Sequence, residues 1–399
     1  MCASSTPGAS AAGGETGRPG LAAIVRAHGQ ALRRSQPLAA VQRRALRAIE
    51  TCRTPALGGH LERCDHCGAT RAVYHSCRNR HCPQCQALAQ TRWVEARRAE
   101  LLPIPYFHVV FTLPHALNSL AQARPRLVYA LLFHCATDTL QSFARDPRHL
   151  GGELGLTAIL HTWGQNLSQH VHLHCVVTGG ALANDGSRWI PARRRFLFPV
   201  RALSKLFRGK YLAALRKASA HGRIPPEVDL SGLLRAVQGA PWVVYAKPPF
   251  GGPEPVLAYL GRYTHRIAIR NERILRLRSG VVSFRWRDYA DANRTKVMAL
   301  PAEEFLRRFL HHVVPAGFQR IRHFGLLANR RRSRALARCR ELLHASAPPA
   351  PPPGESSVEL VARLTGFDLL HCPVCREGTL RVIGYLAPGA PAPEIRDTS

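Results

Sequence analysis

Acidic residues are scarce in this chain. Among its 399 residues, Asp and Glu number 25 against 56 Lys and Arg, which gives a formal net charge of +31 at neutral pH. Such an excess is not typical of a metabolic enzyme and indicates a polyanionic partner, of which nucleic acid is the first candidate. The sequence also lacks an apolar run of about eighteen residues and a long basic amphipathic helix, so we expect no association with a membrane.

The first twenty residues lack a basic stretch followed by an apolar core, so they predict neither a signal peptide nor an anchor. Residues 1–22 are rich in Gly, Ala, Ser and Pro and are expected to be disordered. We therefore expect a cytoplasmic protein. Because the cytosol keeps thiols reduced, its twelve cysteines are expected to be metal ligands and not disulfides.

Two CxxC pairs stand close together near the N-terminus: Cys64 with Cys67, and Cys82 with Cys85. Each pair can place two thiolates on one tetrahedral Zn²⁺, and their separation is typical of treble-clef or ribbon-like loops. A redox motif would need only one pair. The sequence therefore predicts one structural zinc site from these four cysteines, in a small helical DNA-binding domain of residues 23–100.

Other cysteines and histidines could complete further zinc sites. A second N-terminal site could use Cys52, His60, Cys77 and His81. Near the C-terminus, Cys372 and Cys375 form a half-site that needs partners, and the nearest candidates along the chain are Cys339 and either His344 or His371. This half-site falls in a tail, residues 358–399, which follows a proline-rich linker, residues 344–357.

The segment between these cysteine-bearing ends, residues 101–343, has the hydrophobic pattern of an α+β domain. Strands are predicted at Tyr106–Leu113 and Leu154–Trp163, with a helix at Arg126–Ala144 between them. The next strand, "QHVHLHCVV" at residues 169–177, alternates histidine with apolar residues, so His170, His172 and His174 share one face. One histidine would be an ordinary surface or core residue, but three at period two also fit a metal site.

Tyr259 and Tyr263 lie one helical turn apart in "YLGRYTHRIAIR" and so share a helix face. Taken alone, they would be core or surface tyrosines. A tyrosine hydroxyl is a poor nucleophile at its usual pKa, but it can attack phosphorus when a divalent metal polarises a phosphate oxygen. The histidine strand could supply that metal, and nearby arginines could hold a DNA backbone: Arg262, Arg266 and, in a basic loop, Arg193, Arg194 and Arg195.

Together these stretches resemble the two-tyrosine, HUH-type rolling-circle transposases of the insertion sequence 91 family. The resemblance runs from about residue 30 to 385, through "CRTPALGGHLERCDHCG", "SCRNRHCPQCQ", "YFHVVFTLPH", "LHTWGQNLSQHVHLHCVVTGG", "YLGRYTHRIAI", "FRWRDY" and "PAGFQRIRHFGLLAN". It implies an RNA-recognition-like antiparallel sheet whose central strand carries the metal pair His172 and His174, with Tyr259 and Tyr263 as nucleophiles. It also implies Mg²⁺ or Mn²⁺ at the histidines, structural Zn²⁺, and a bacterial, nucleoid-associated location.

The activity that the resemblance implies is nicking of single-stranded transposon ends through a 5′-phosphotyrosine, followed by strand transfer to target DNA. His161 is the expected third ligand, because the spacing of His161, His172 and His174 also looks like that of conjugative relaxases. His170 or Gln165 could replace it, and the pair could instead be His170 with His172. Thr178 stands where the family often has proline before two glycines, a departure expected to affect only a turn.

Three other functions are compatible with parts of the pattern. A plasmid relaxase or replication initiator would use the same chemistry in another setting. A non-catalytic, zinc-dependent DNA-binding regulator would keep the tyrosines as core residues. An inactive transposon copy is disfavoured because every expected catalytic residue is present.

Overall fold

The computed structural model describes residues 18–193, 196–250, 253–264, 267–346, 354–366 and 368–390. The helices are α1 (Leu21–Ser35), α2 (Ala40–Thr51), α3 (Gln86–Arg98), α4 (Asn118–Ala123), α5 (Pro125–Arg145), α6 (Val200–Ala220), α7 (Leu230–Gly239), α8 (Pro253–Thr264), α9 (Ala302–Leu310), α10 (Arg332–Leu342) and α11 (Ser357–Thr365). Within these ranges, no helix is long and apolar enough to cross a membrane.

The strands are β1 (Gly59–Cys64), β2 (Thr70–Tyr74), β3 (Tyr106–Thr112), β4 (Gly152–Trp163), β5 (Gln169–Ala183), β6 (Trp189–Pro191), β7 (Val244–Phe250), β8 (Ile274–Arg278), β9 (Val281–Asp288), β10 (Arg294–Pro301), β11 (Ile321–Gly325) and β12 (Leu380–Leu386). The largest sheet has the order β11–β4–β5–β3–β7, with β6 paired to β5, and its neighbouring strands are antiparallel. The expected α+β class and antiparallel sheet are confirmed, and the histidine strand β5 is central.

One face of this sheet packs against α5 and α6. Phe111 and Leu173 of the sheet share a buried cluster with Phe133 of α5 and Phe207 of α6. Since neighbouring residues of a strand face opposite ways, the even-numbered positions of β5 lie on the other face. That alternation keeps the three histidines of β5 out of this core.

The other face packs against α8 and α10. Ile159 and Val176 of the sheet lie in a buried cluster with Val256 of α8 and Leu336 of α10. Val176 is two residues after His174 in β5 and therefore shares its face. Helix α8, which carries Tyr259 and Tyr263, thus covers the histidine face of the sheet.

Thr178 and the two glycines after it lie within the continuous strand β5, so the expected turn is not there. The Thr178 hydroxyl accepts a hydrogen bond from Gly155 N (3.0 Å) and donates one to Gly180 O (2.8 Å). A Cβ at Gly179 or Gly180 would collide with Pro105 or with the Trp189 ring. The threonine therefore joins β4 to β5, and the glycines admit close neighbours.

The N-terminal helices pack against residues far along the chain. Ile24 of α1 and Leu46 of α2 share a buried cluster with Phe284 of β9 and with Phe305 and Phe309 of α9. Strands β8, β9 and β10 form a second antiparallel sheet beside α9. The first two helices therefore pack on a segment that the sequence assigned to the catalytic domain.

The C-terminal tail pairs with the N-terminal hairpin, a contact that the sequence did not predict. Its strand β12 pairs antiparallel with β1, which in turn pairs with β2, so the two ends of the chain share a three-stranded sheet. The expected zinc-binding domain is accordingly not purely helical. Residues 1–17 and 391–399, together with 347–353 of the expected linker, lie outside the described residues.

Candidate active site and metal centres

Three histidines converge on the face of the large sheet that α8 covers. His161 of β4 lies directly opposite His172 of β5, and His174 follows two residues later on the same face. One ring nitrogen from each residue lies within 4.8 Å of the other two. Because a divalent metal accepts several neutral imidazoles at once, this donor set fits a metal ion.

The orientation of His172 is fixed by its own strand. Its Nδ1 lies 2.8 Å from the carbonyl oxygen of His170. Because a carbonyl only accepts, Nδ1 carries the hydrogen, and the neutral ring then has its lone pair on Nε2. A backbone partner of this kind is the usual second support of a metal-binding histidine.

The two alternative third ligands have other partners. His170 Nδ1 lies 3.1 Å from His115 Nε2. The side-chain amide of Gln165 donates to the hydroxyl of Tyr289 at 3.0 Å. The geometry therefore groups His161 with His172 and His174, and it leaves His170 and Gln165 outside that group.

The hydroxyl of Tyr259 reaches the same cluster from α8. It lies 3.0 Å from His174 Nδ1 and 2.6 Å from Nε2 of a further histidine, His108. His108 Nε2 is itself 2.9 Å from His174 Nδ1. The tyrosine is buried, with 6% of its surface exposed. Its hydroxyl is therefore held between two imidazoles at the edge of the histidine group.

His108 of β3 is a residue that the sequence reasoning missed. Burial, and to a smaller extent the charge of Lys247, lowers its pKa to about 4. The ring is therefore neutral near pH 7 and can accept the hydrogen bond of the Tyr259 hydroxyl at Nε2. The only signal in the sequence is one histidine in the apolar strand "YFHVVFTL", a pattern that an ordinary core histidine shares.

The other tyrosine and most of the expected DNA-binding arginines are only partly described. Tyr263 and Arg262 belong to α8, but their side chains lie outside the described part of the structure. Arg194, Arg195 and Arg266 lie entirely outside the described residues. Arg193 is exposed beside β6.

The cysteines form two tetrads that differ from the predicted pairing. The first contains Cys52, Cys77, Cys82 and Cys85, whose sulfur atoms all lie within 4.8 Å of one another. The second contains Cys64, Cys67, Cys372 and Cys375, at the same mutual limit. The prediction that Cys64 and Cys67 share a site with Cys82 and Cys85 is therefore wrong in its pairing.

The β1–β2 hairpin explains this result. Cys64 and Cys67 lie at its turn, whereas Cys77 follows its open end, where Tyr74 pairs with Gly59. Strands of five or six residues separate the two ends by roughly 15–20 Å. One zinc ion cannot span that distance, so each CxxC pair meets different partners.

The proposed second-site ligands are redistributed as well. Cys52 and Cys77 join the first tetrad, whereas His60 lies 3.0 Å from the Glu62 carboxylate. Burial lowers the pKa of His81 to about 3, and its ring belongs to no cysteine cluster among the described residues. The histidines of that expected site are therefore replaced by Cys82 and Cys85.

The expected partners of the C-terminal half-site are also wrong. Cys339 is buried in the core beside Leu336, His344 is exposed, and His371 Nε2 lies 2.5 Å from the carbonyl of Arg376. The partners are instead Cys64 and Cys67, from the other end of the chain. Backbone N–H groups of Gly378 and Glu377 lower the pKa of the Cys375 thiol to about 6.

Models of two known protein families match different parts of the chain. A family model described as "Transposase zinc-binding domain" matches residues 24–113, and one described as "Putative transposase" matches residues 155–334. The first range contains the whole Cys52 tetrad. The second contains His161, His172, His174 and Tyr259.

Two curated relatives are similar over most of the chain. "Putative transposase y4qJ" of Sinorhizobium fredii is 50% identical over 394 residues, which cover 96% of this chain and 99% of the relative. "Transposase for insertion sequence element IS801" of Pseudomonas savastanoi pv. phaseolicola is 29% identical over 337 residues, covering 81% and 79%. No solved structure matches this chain.

Proposed function

Because this chain belongs to the insertion sequence 91 family of transposases and carries the zinc-binding domain of that family, we propose that it nicks single-stranded transposon ends with Tyr259 and joins them to target DNA. Rolling-circle-like transposition at the bacterial nucleoid, in the cytoplasm, would follow. The observation that carries this proposal is the Tyr259 hydroxyl, which lies 3.0 Å from His174 beside three convergent histidines.

In the proposed step, the phenolic oxygen of Tyr259 attacks the scissile phosphorus. An oxygen–phosphorus bond forms to the tyrosine and the bond to the 3′ oxygen breaks. The tyrosine hydroxyl loses its proton and the departing 3′ oxygen gains one, so protons balance. The products are a 5′-phosphotyrosine and a free 3′ hydroxyl. Since one phosphoester replaces another, a later 3′ hydroxyl can reverse the step on new DNA without ATP.

The residues around Tyr259 position this reaction. His108 holds the hydroxyl through its neutral Nε2 at 2.6 Å, and packing of α8 on the sheet holds the ring. His161, His172 and His174 would hold a Mg²⁺ or Mn²⁺ ion. When bound, such an ion withdraws charge from a phosphate oxygen and makes the phosphorus easier to attack.

Tyr263 follows Tyr259 by one turn of α8. We propose that it is the second nucleophile, so that one tyrosine holds the donor strand while the other cleaves a second strand. Arg262, Arg266, Arg193, Arg194 and Arg195 are proposed to hold the phosphate backbone, in keeping with the net charge of +31. Structural Zn²⁺ in the Cys52 tetrad would stabilise the N-terminal domain.

The test is covalent capture of DNA. The protein is incubated in Mn²⁺ with a single-stranded oligonucleotide that spans one end of its element and is labelled at the 3′ end, and the products are separated on a denaturing gel. We expect a labelled protein–DNA band, and a 5′-labelled substrate should yield a shorter strand that a polymerase can extend. His172→Ala should remove the band and keep DNA binding, because binding depends on arginine–phosphate contacts.

His170→Ala is the matched control, since His170 lies on the same strand outside the histidine group. It should keep the labelled band. Absence of any covalent band from the wild-type protein, with DNA binding intact, would favour a non-catalytic DNA-binding protein over the proposed nuclease.

A further inference from the structure

The second cysteine tetrad has a geometry that disulfides cannot explain. Cys64 Sγ lies 3.7 Å from Cys375 Sγ, and Cys67 Sγ lies 3.8 Å from Cys372 Sγ. A disulfide would bring two sulfur atoms to about 2.05 Å. Four sulfur atoms bound tetrahedrally to zinc at about 2.3 Å lie about 3.8 Å apart. The separations are therefore those of a tetrathiolate site.

We propose that Cys64, Cys67, Cys372 and Cys375 bind a Zn²⁺ ion of their own, which holds the C-terminal tail onto the N-terminal hairpin. The tail cysteines fall outside both ranges matched by family models, which end at residues 113 and 334. The Cys52 tetrad is complete without them. The site formed by Cys64, Cys67, Cys372 and Cys375, called the clasp below, is therefore separate from the site of the Cys52 tetrad. It does not depend on the catalytic proposal.

Backbone groups support the sulfur atoms as they would support thiolates. His66 N and Cys67 N each donate to Cys64 Sγ at 3.4 Å, and Gly378 N donates to Cys375 Sγ at 3.4 Å. Such N–H···S bonds offset negative charge on the ligands of a metal. Both CxxC pairs of this tetrad receive such bonds, although Cys64 lies in the N-terminal hairpin and Cys375 in the C-terminal tail.

Gly378 shows how closely the C-terminal CxxC pair approaches the N-terminal one. A Cβ at this position would overlap Sγ of Cys64 and would lie 2.6 Å from Cβ of His66. Real Cβ atoms do not approach this closely. Glycine is therefore required at position 378, where the tail passes close to Cys64 and His66 of the N-terminal hairpin.

Apart from the backbone ladder between β12 and β1, the contacts of the tail with the N-terminal hairpin bury few side chains. The buried part of this contact comprises Cys64, Cys372 and Leu380, whereas Ile383 and Tyr385 of β12 are exposed. Asp65 accepts a hydrogen bond from Thr379 N and pairs with Arg381, but that ion pair is on the surface. A module with so small a core commonly depends on a metal for its fold.

The first experiment counts zinc in full-length protein by plasma mass spectrometry, after dialysis against Mg²⁺ to exchange the histidine site. Wild type should hold two zinc ions per chain. The double variant C372S/C375S should lose one, C64S/C67S should lose one, and the four changes together should still lose only one. Cys339→Ala, at a buried cysteine outside both tetrads, should keep two.

Two zinc ions in C372S/C375S would overturn the proposal, as would loss of two from the four-fold variant, since the pairs would then serve different sites. Circular dichroism checks that the variants fold. Should C64S/C67S unfold, Gly378→Ala, which crowds Cys64 from the tail side, should still lower the zinc content by up to one ion.

The second experiment asks whether zinc holds the tail. A protease site is inserted in the proline-rich segment, residues 347–353, and the cut protein is passed over a sizing column. The tail fragment should coelute with the main fragment in Zn²⁺ and separate after chelation. In C372S/C375S it should separate without a chelator. Separation of the wild-type fragment in saturating Zn²⁺, or its retention in C372S/C375S, would contradict the clasp.

Discussion

Single hydrogen bonds determine what the tyrosine of the proposed active site can do. The Tyr259 hydroxyl contacts one ring nitrogen of His108 and one of His174. Burial lowers the pKa of His108 to about 4, so it remains an uncharged acceptor across the physiological range. The reach of one tyrosine thus depends on two strands and one helix.

Replacing His108 tests this dependence. His108→Ala should slow formation of the covalent DNA adduct by about 10²-fold, because the hydroxyl loses the group that positions it and accepts its hydrogen. His108→Asn should recover part of the rate, since an amide oxygen can accept the same bond. Single-turnover kinetics on labelled oligonucleotide measure both.

The control for His108 is His115→Ala. His115 lies beside β5, where it contacts His170, outside the histidine group. Its adduct rate should match wild type. An equal loss in the two alanine variants, or no loss in His108→Ala, would count against a positioning role for His108.

A buried histidine away from the proposed site should make the stability depend on pH. Burial lowers the pKa of His312 to about 4, whereas in the unfolded chain it is about 6.5. Between these values the unfolded state binds the extra proton. Stability is therefore complete above about pH 6.5 and falls as the pH drops towards 4, by up to about 3 kcal/mol for this group.

Urea unfolding at several pH values measures this effect. The free energy of unfolding should fall less steeply from pH 6.5 to 4.5 in His312→Gln than in wild type. His221→Gln, at an exposed histidine, should leave the slope unchanged. Identical slopes in wild type and His312→Gln would remove His312 as the source.

How much of the site the sequence could predict is clear from its histidines. His172 and His174 follow from period-two alternation, and His161 from its distance along the chain. His108 could not be predicted, because its contact with Tyr259 depends on the register of β3 against β5, where His108 pairs with Val176. A lone histidine in an apolar strand carries no such information.

At the scale of secondary structure elements, strand pairing decides which side chains meet. The antiparallel pairing of β4 with β5 puts His161 opposite His172, and β11 supports β4 from the other side. The length of the β1–β2 hairpin separates the two N-terminal CxxC pairs, a result that their similar spacing could not reveal. Elements were thus predictable from local pattern, but their partners were not.

Replacing Gly325, at the end of β11, tests how much the pairing of β11 with β4 stabilises the protein. Its φ of +61° is in the left-handed region, and a Cβ there would overlap the Leu154 carbonyl oxygen. Gly325→Ala should lower the free energy of unfolding by at least about 2 kcal/mol. Gly209→Ala, in α6 with open space around it, should raise it by up to about 1 kcal/mol.

Both variants are measured by urea unfolding at neutral pH. Destabilisation of Gly209→Ala and Gly325→Ala by the same amount would show that the effect is not specific to the β11–β4 contact.

For the whole molecule, β1 and β12 join segments near the two ends of the chain in one sheet, and the large histidine-bearing sheet lies between them in sequence. This arrangement could not be read from the sequence, because β12 pairs with a strand more than 300 residues away. The net charge, by contrast, follows from the composition alone, and we expect it to govern how DNA affinity depends on salt.

Binding to single-stranded DNA should weaken by at least about 10²-fold between about 50 and 200 mM KCl, because arginine–phosphate contacts release counterions. Fluorescence anisotropy of a labelled oligonucleotide gives the slope of log affinity against log salt. Arg193→Ala, at an exposed arginine of the basic loop, should reduce that slope by about 1. A flat response would mean that the net charge of +31 is not engaged by DNA.

The central claim is that tyrosine hydroxyls of α8 attack DNA, and mapping the covalent adduct tests it most directly. Wild-type protein is trapped on single-stranded transposon-end DNA in Mn²⁺ and digested, and the DNA-bearing peptide is identified by mass spectrometry. We predict phosphate on Tyr259 or Tyr263, with each single change to Phe leaving some adduct and the double change removing all of it. Tyr245→Phe, at an exposed tyrosine of β7, is the control and should react normally. An adduct that survives in the double variant Y259F/Y263F would contradict the account.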